Sequence, residues 1–446
     1  MRVLLLNPPG RRRYLRDYYC STVSKAGYYW HPMDLLVQSG HLAPHADLKV
    51  LDAIADSLSP AASLAAVRRF APDLIVSLVG AQSLNEDLAF LREACAGSGA
   101  KTNRNPRVAL SGEPVRGGEE KALRAALPHA FHLQDFTSDA LVRWIMKDLP
   151  SPLPDEEKAP RRQGTLRLPR PRHDLFLSDR YHVPFDGGRP FASVLTAYGC
   201  PHRCTYCNSG ASSLGYAVRD LDDVAEELDY LARTGDVAHI FFRDMDFTAN
   251  RRRALRICEM LRQRGAPFSW NCYGRPDELD DALCESMARA GCRLIQLGLE
   301  TFDEPTLTRL ARPMTGAQIE RAFRLVRRHG MRSGAHVILG LDGTRWSDMH
   351  RTWRRIVELD PDYVSFNLLQ RRRGAPLAAG ASASQAAQSH QAHLLAWARR
   401  CATWGFYLRP RYLVRQLRQI RSTAEARSLV CSGVDLIWQS LQGDDP

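Results

Sequence analysis

Short apolar runs separated by helical stretches recur along the first third of the chain. Residues 3–6, 48–54, 74–79, 108–110 and 130–133 are strand-sized runs, and 61–70 and 85–96 between them carry helical spacing. Strands alternating with helices predict a parallel sheet covered on both faces. Asn7-Pro8-Pro9-Gly10, Gly80-Ala81 and Ser111-Gly112-Glu113-Pro114 then fall at the carboxyl edge, where open sheets of this kind bind ligands. Residues 148–190 break the pattern with Pro150, Pro152, Pro154, Pro160, Pro169, Pro171 and Pro184, and read as a linker after a domain spanning 1–147. A second alternating series fills 191–376, with strands expected at 192–197, 239–243, 268–272, 294–298, 335–339 and 363–368. Helices are expected between them at 221–232, 252–264, 279–290 and 316–328. Six such units suit an open, partial barrel rather than an eightfold one. Residues 377–446 read as a short helical, polar C-terminal region. The fold class is α/β.

Composition narrows the class. Hydrophobic residues make up 44% of 446, enough for large cores. No apolar run approaches the roughly 20 residues of a membrane span, and the N-terminus shows no export pattern, so a soluble cytoplasmic protein is expected. The net charge of +12 comes from 61 Lys+Arg against 49 Asp+Glu. Its basic clusters are scattered over 11–13, 161–172, 251–253, 351–355 and 371–373. A nucleic-acid binder concentrates such charge on one element, so solvated faces are the plainer reading and an anionic ligand the sharper one. The 11 cysteines, an odd number in a long chain without an export signal, argue for reduced thiols. Eight of them are scattered through largely apolar segments, as small buried hydrophobes are.

The other three stand together. Cys200, Cys204 and Cys207 follow the first strand of the second series in Tyr198-Gly199-Cys200-Pro201-His202-Arg203-Cys204-Thr205-Tyr206-Cys207. Gaps of three and then two residues let three thiolates reach one iron–sulfur cubane, leaving one iron open to a ligand. Gly199 permits the entry turn. The competing reading is zinc, with His202 lending a nitrogen, but a structural zinc site wants four closed ligands and no second CxxC pair is present.

This loop resembles the signature of the radical S-adenosylmethionine (SAM) superfamily. The resemblance implies a [4Fe–4S] cluster on Cys200, Cys204 and Cys207, with SAM on the open iron. Asp244-Met245-Asp246-Phe247 resembles the segment that approaches the SAM amino group. Arg275, Gly298-Leu299-Glu300 and the stretch from Val337 through Gly340 to Gly343 resemble further SAM contacts. Asp244, Asp246, Arg275, Glu300, Val337 and Gly340 are thus the implied SAM residues. Asp342 departs from the family's Gly-Leu-Pro-Gly turn. The implied chemistry is one-electron cleavage of SAM to methionine and a 5′-deoxyadenosyl radical, with flavodoxin or ferredoxin as electron donor.

The N-terminal half resembles the cobalamin-binding branch of that superfamily, through Val3-Leu4-Leu5-Leu6-Asn7-Pro8-Pro9 and the Pro-rich passage into the barrel. The implied architecture is a doubly wound Rossmann-like cobalamin-binding domain, a partial (β/α)6 radical SAM barrel and a short helical tail. No Asp-x-His-x-x-Gly motif is present, so no histidine is expected on cobalt. Ser77, Gly80, Ser111 and Gly112 are the implied cobalamin contacts, although the branch more often has Gly-Gly where Ser111-Gly112 stands. The aromatics of residues 18–32 would cover the corrin, shape a substrate cavity or simply pack, with His31 a hydrogen-bonded loop residue. Arg371, Arg372 and Arg373, at the barrel rim, suit a substrate carboxylate or phosphate. The implied activity is methylation of an unactivated carbon of a small molecule. Cyclisation, ring contraction or oxidation without methyl transfer is the alternative. Only Cys20 and Cys95 precede the barrel, too few for the second cluster of a methylthiotransferase.

Overall fold

The computed structural model describes residues 1–18, 21–24, 28–96, 105–146, 162–177, 179–183, 189–208, 215–265, 267–372, 375–377, 385–420, 423, 426–427, 430 and 433–435. The chain divides into two compact units. One comprises Met1–Val183, Pro190–Ser193 and Ser213–Asp236; the other comprises Pro184–Arg189, Val194–Ser212 and Val237–Pro446.

The first unit is built on a five-stranded sheet in the order Asp47–Asp52, Arg2–Asn7, Leu74–Leu78, Arg107–Ser111, Phe131–His132. Every pairing in it is parallel. Central strands of such a sheet are covered on both faces, which is why Leu74–Leu78 is an unbroken buried run. Leu4, Leu6, Ile75 and Leu110 pack with Val67 and Leu91, contributed by the helices Pro60–Phe70 and Leu84–Ala96. The first of these helices starts where Ser59 accepts the Ala62 N–H and Pro60 needs no donor. It ends at Ala71, whose backbone is left-handed.

Two features differ from the periodicity reading. Tyr14–Arg16 and Ser21–Val23 pair as an antiparallel hairpin. Three-residue strands are too short to leave a periodic signal. The stretch read as a linker is packed in part. Arg162–Leu166 pairs in parallel with Gly215–Arg219, and Leu166, Leu168, Phe176, Tyr181 and Val183 are buried. Prolines 169 and 171 lie just beyond that strand and so do not interrupt it. Prolines 150, 152, 154, 160 and 184 lie outside the described residues. The helix Leu221–Thr234, expected in the barrel, falls in the first unit. There Glu227 is buried between Arg219 and His173, whose Nε2 is 2.7 Å from Glu227 Oε1.

The second unit carries most of a six-stranded sheet in the order Tyr363–Leu368, Arg332–Leu339, Cys292–Glu300, Ser269–Gly274, His239–Phe242, Phe191–Val194. The four pairings from His239–Phe242 to Tyr363–Leu368 are parallel, and the Arg243 N–H donates to Val194 O at 2.8 Å. Four of its helices begin on residues whose side chains take the free N–H groups: Asn250, Asp280, Asp303 and, in a full capping box with Gln318, Thr315. Side chains alternate across each strand. Ala335, Val337 and Leu339 are buried on one face, whereas His336 and Ile338 on the other are half-buried. Residues in register with them make that second face polar: Tyr273 pairs with Gln296, Gln296 with Gly334, and His336 with Ser365.

His239 sits at the base of this sheet, with Nδ1 2.8 Å from Ser269 Oγ and Nε2 2.6 Å from Asn271 Oδ1. Burial pushes its pKa down to about 4. The imidazole is held neutral in the fold but takes a proton in the unfolded chain near its ordinary pKa of about 6.5. Its contribution to stability is therefore complete above about pH 6.5 and is lost as pH falls from there towards 4, by roughly 3 kcal/mol. Chemical denaturation at pH 8 and pH 5 should show the wild type losing stability and His239→Gln losing markedly less.

Candidate active site

The cysteine loop is pinned at both sides. It leaves the strand Ala197–Gly199 through Gly199, at φ +75°, where a left-handed backbone favours glycine. Thr205 N–H donates to Leu310 O at 3.0 Å, Leu377 N–H to Thr205 O at 2.9 Å, and Cys207 N–H to Cys204 O at 3.1 Å. Cys204 is buried, Cys200 and Cys207 are half-buried, and none of the three is in a disulfide. Burial, with Asp246 nearby, pushes the Cys200 thiol well above its ordinary range. A metal that takes it must displace the proton.

Arginines surround the innermost sulfur. Arg275 Nη1 lies 3.8 Å and Arg312 Nη1 3.6 Å from Cys204 Sγ. Asp277 holds Arg275 through bonds of 3.0 and 2.8 Å. Glu300, at φ +62°, accepts from Tyr206 Oη at 2.9 Å and lies 3.8 Å from Arg312 Nη2. Burial raises the Glu300 carboxyl pKa against the pull of Arg312. Three buried or half-buried thiols beside two buried guanidiniums suit an anionic cluster: the donors are the type that iron–sulfur clusters take, and the surrounding charge opposes theirs.

His202 belongs to a different contact. Its Nε2 is 2.8 Å from Glu278 Oε1 and 3.3 Å from Asp246 Oδ2. Hydrogen bonds to Asp246 and Glu278 raise its pKa to about 9. Cys200, His202 and Asp246 bring ligand atoms within 4.8 Å of one another.

The implied SAM residues separate into groups. Asp246 and Arg275 lie beside the cysteines, and Glu300 joins them through Tyr206 and Arg312. Asp244 is already engaged: it accepts from Thr196 N–H at 2.6 Å, Thr196 Oγ1 at 2.5 Å and Ala197 N–H at 3.0 Å. It braces the chain entering the cysteine loop. Val337 is fully buried on the face opposite His336. Gly340 is at φ +75°, a left-handed backbone that favours glycine, and its near neighbour is the movable end of the Leu395 side chain. At the rim, Arg371 is paired with Asp342 at 2.7 Å and donates to Leu377 O at 3.0 Å. The residue departing from the family turn is thus the partner of the arginine expected to bind substrate. Arg372 Nη2 donates to Gln370 Oε1 at 3.0 Å, and Arg373 lies outside the described residues.

The four implied cobalamin contacts are taken up within the first unit. Ser77 and Ser111 are fully buried; Ser77 Oγ donates to Leu78 O at 3.0 Å and Ser111 Oγ to Asp34 Oδ2 at 2.5 Å. A Cβ on Gly80 would lie 2.8 Å from Ser83 Oγ and 3.1 Å from Arg16 Cγ. Gly112, at φ +125°, would place one 2.1 Å from Val79 O. Smallness at the two glycines serves the chain's own packing as well as any ligand approach. His31, in the aromatic loop, is buried with Nδ1 3.1 Å from Ser193 Oγ and its ring 4.3 Å from that of Tyr181.

The sequence reading missed Arg312 and the polar face of the barrel sheet. Arg312 follows a six-residue helix, Glu304–Arg309, in a turn with no spacing signature. On the polar face, His336 Nε2 is 3.2 Å from Gln296 Oε1, and the buried Gln296 Nε2 has no hydrogen-bond partner among the described residues. Period-two alternation across two strands carried that signal.

Residues 194–356 match the radical SAM superfamily. An uncharacterized methyltransferase of Pyrococcus horikoshii is 24% identical over 396 residues, 82% of this chain and 80% of that one. An anaerobic magnesium-protoporphyrin IX monomethyl ester cyclase of Rubrivivax gelatinosus is 26% identical, over 38% of this chain and only 31% of its own length. Among solved structures, the radical SAM methyltransferase TsrM from Kitasatospora setae, with cobalamin and a [4Fe–4S] cluster bound, has a TM-score of 0.63 at 18% identity, covering 84% of this chain and 76% of that one. The cobalamin-dependent SAM radical enzyme OxsB, with aqua-cobalamin and SAM bound, reaches 0.67 at 13% identity, covering 98% and 71%. Residues 194–356 are a radical SAM domain, and the chain around them has the fold of the cobalamin-dependent radical SAM enzymes.

Proposed function

We propose that this protein cleaves SAM reductively at a [4Fe–4S] cluster held by Cys200, Cys204 and Cys207, and methylates an unactivated carbon of a small molecule. The observation that carries the reading is the pinned loop of three free cysteines whose buried member, Cys204, faces two guanidiniums. When bound, such a cluster supplies one electron to the sulfonium of SAM, and the resulting 5′-deoxyadenosyl radical takes hydrogen from substrate. The protein's share is to bind, orient and shield. In this reading Asp246, Arg275 and Glu300, which lie around the cysteines, would receive the charged amino-acid end of SAM. The polar face around Tyr273, Gln296 and His336 favours a substrate that forms hydrogen bonds. Methylation is supported by the Pyrococcus relative, and cobalamin enters the proposal through likeness of fold alone.

Anaerobic reconstitution should yield about four irons per chain in the three-cysteine cubane. Under reduction by flavodoxin, ferredoxin or dithionite it should release 5′-deoxyadenosine from SAM. With methyl-labelled SAM and extracts of small metabolites, label should move into a product; product formed without label would remove methyl transfer and leave the cleavage reading standing. Corrin absorption in the purified protein tests the cobalamin separately.

A further inference from the structure

Resting on the cluster assigned above, we propose that Arg312, seconded by Arg275, is a positioning residue that sets the reduction potential of the cluster by donating to the sulfur of Cys204. Arg312 is 6% and Arg275 5% exposed, so both positive charges act in a medium of low dielectric. Their Nη1 atoms lie 3.6 and 3.8 Å from the same Sγ, within reach of N–H···S contact.

The surroundings are shaped to hold Arg312 there. Its Nη2 donates to Gly298 O at 2.5 Å. A Cβ on Gly298 would come within 3.0 Å of that nitrogen and 2.9 Å of Glu300 Oε1, so a bare backbone at 298 admits the guanidinium. The preceding Ala311 is at φ +53°, a left-handed conformation that a residue with a Cβ adopts at a cost of about 1 kcal/mol or more. Arg312 N–H then donates to Leu307 O at 2.9 Å, fixing where the side chain departs. Arg275 is held independently by Asp277.

Reduction adds one electron to the cluster and no proton, so its anionic charge grows by one. Hydrogen bonds and positive charge at a ligand sulfur stabilise the reduced form more than the oxidised one and raise the potential. Two guanidiniums on one thiolate place this cluster within easier reach of a biological reductant. An Arg312 that served only to neutralise Glu300, 3.8 Å away, would be replaced by lysine with the wild-type potential kept.

The test is a redox titration of the reconstituted protein with dithionite, followed by electron paramagnetic resonance without SAM. Arg312→Gln, Arg312→Lys and Arg275→Gln are compared with wild type at equal iron and sulfide content. Arg312→Gln and Arg275→Gln should each titrate at a more negative potential than wild type, with Arg312→Lys between. Should Arg312→Gln fail to hold a cluster, Arg275→Gln and Arg312→Lys decide the matter by the same shift. Glutamine variants that carry a full cluster and titrate with wild type would overturn the inference while leaving the assigned cluster intact. Wild-type protein that takes up zinc or no iron would overturn the reading beneath it, and this inference too.

Discussion

Replacing Cys204 by alanine is expected to reduce iron content to background and to cut SAM cleavage by at least about 1,000-fold, about 4 kcal/mol in the barrier. Two thiolates cannot hold the cubane, and the position lost is the buried one that Arg275 and Arg312 face. The same substitution leaves two guanidiniums without their sulfur acceptor, but each keeps another anchor, Asp277 for Arg275 and Gly298 O for Arg312. The fold should therefore survive, with a circular dichroism spectrum matching wild type. Cys200→Ala and Cys207→Ala should behave alike. Cys258→Ala, at a buried cysteine in the helix Arg251–Gln263, is the control: it should keep its iron and lose only a little stability. Turnover that persists in any of the three loop variants would end the radical SAM reading of this site.

The largest effect on stability is expected at Asp87. Its carboxylate accepts from Arg16 Nη2 at 2.6 Å and Nε at 3.1 Å, from Gly80 N–H at 2.9 Å and from Ser83 Oγ at 2.7 Å. Neither partner of the ion pair has any exposed side-chain surface. Asp87→Ala strands a buried guanidinium and should cost about 3–5 kcal/mol. Arg16 also donates to Asn7 Oδ1 and Pro8 O, so the loss should reach the carboxyl edge of the first sheet. Guanidinium denaturation, followed at the first transition, measures this. The exposed pair Arg143–Asp139 is the contrast, since Asp139→Ala there should change stability by no more than about 0.5 kcal/mol. Replacing Arg16 and Asp87 together by Met and Leu should recover only part of the loss, because it removes the unpaired charge but leaves Gly80 N–H, Ser83 Oγ, Asn7 Oδ1 and Pro8 O without these partners. An Asp87→Ala protein as stable as wild type would show that the pair contributes nothing.

The edge held by this pair was expected to receive a ligand. Small residues at strand ends are open to two explanations, ligand approach or close packing, and spacing along the chain does not separate them. Arg16 comes from a hairpin whose three-residue strands have no periodicity to read. Once it folds onto Ser83 and Asp87, a side chain at Gly80 would meet Ser83 and Arg16, while one at Gly112 would meet the Val79 backbone. Asp244 gives the same lesson in the second unit, for its motif matched a SAM contact while its oxygens serve Thr196 and Ala197.

What the sequence by itself determined was local: which runs form strands and helices, the parallel α/β class that their alternation demands, and three cysteines close enough along the chain to share one cluster. Hydrophobic periodicity and ligand spacing are properties of neighbouring residues, so they survive in one dimension. Only the tertiary structure decided that Arg312, 108 residues from Cys204, shares its sulfur with Arg275. The same holds for the pairing of Asp342 with Arg371, and for the packing of the proline-rich stretch 162–183 as part of a unit. Each of these depends on charges and backbone brought together by folding from distant positions, and a buried guanidinium carries no mark in the sequence of which partner will neutralise it.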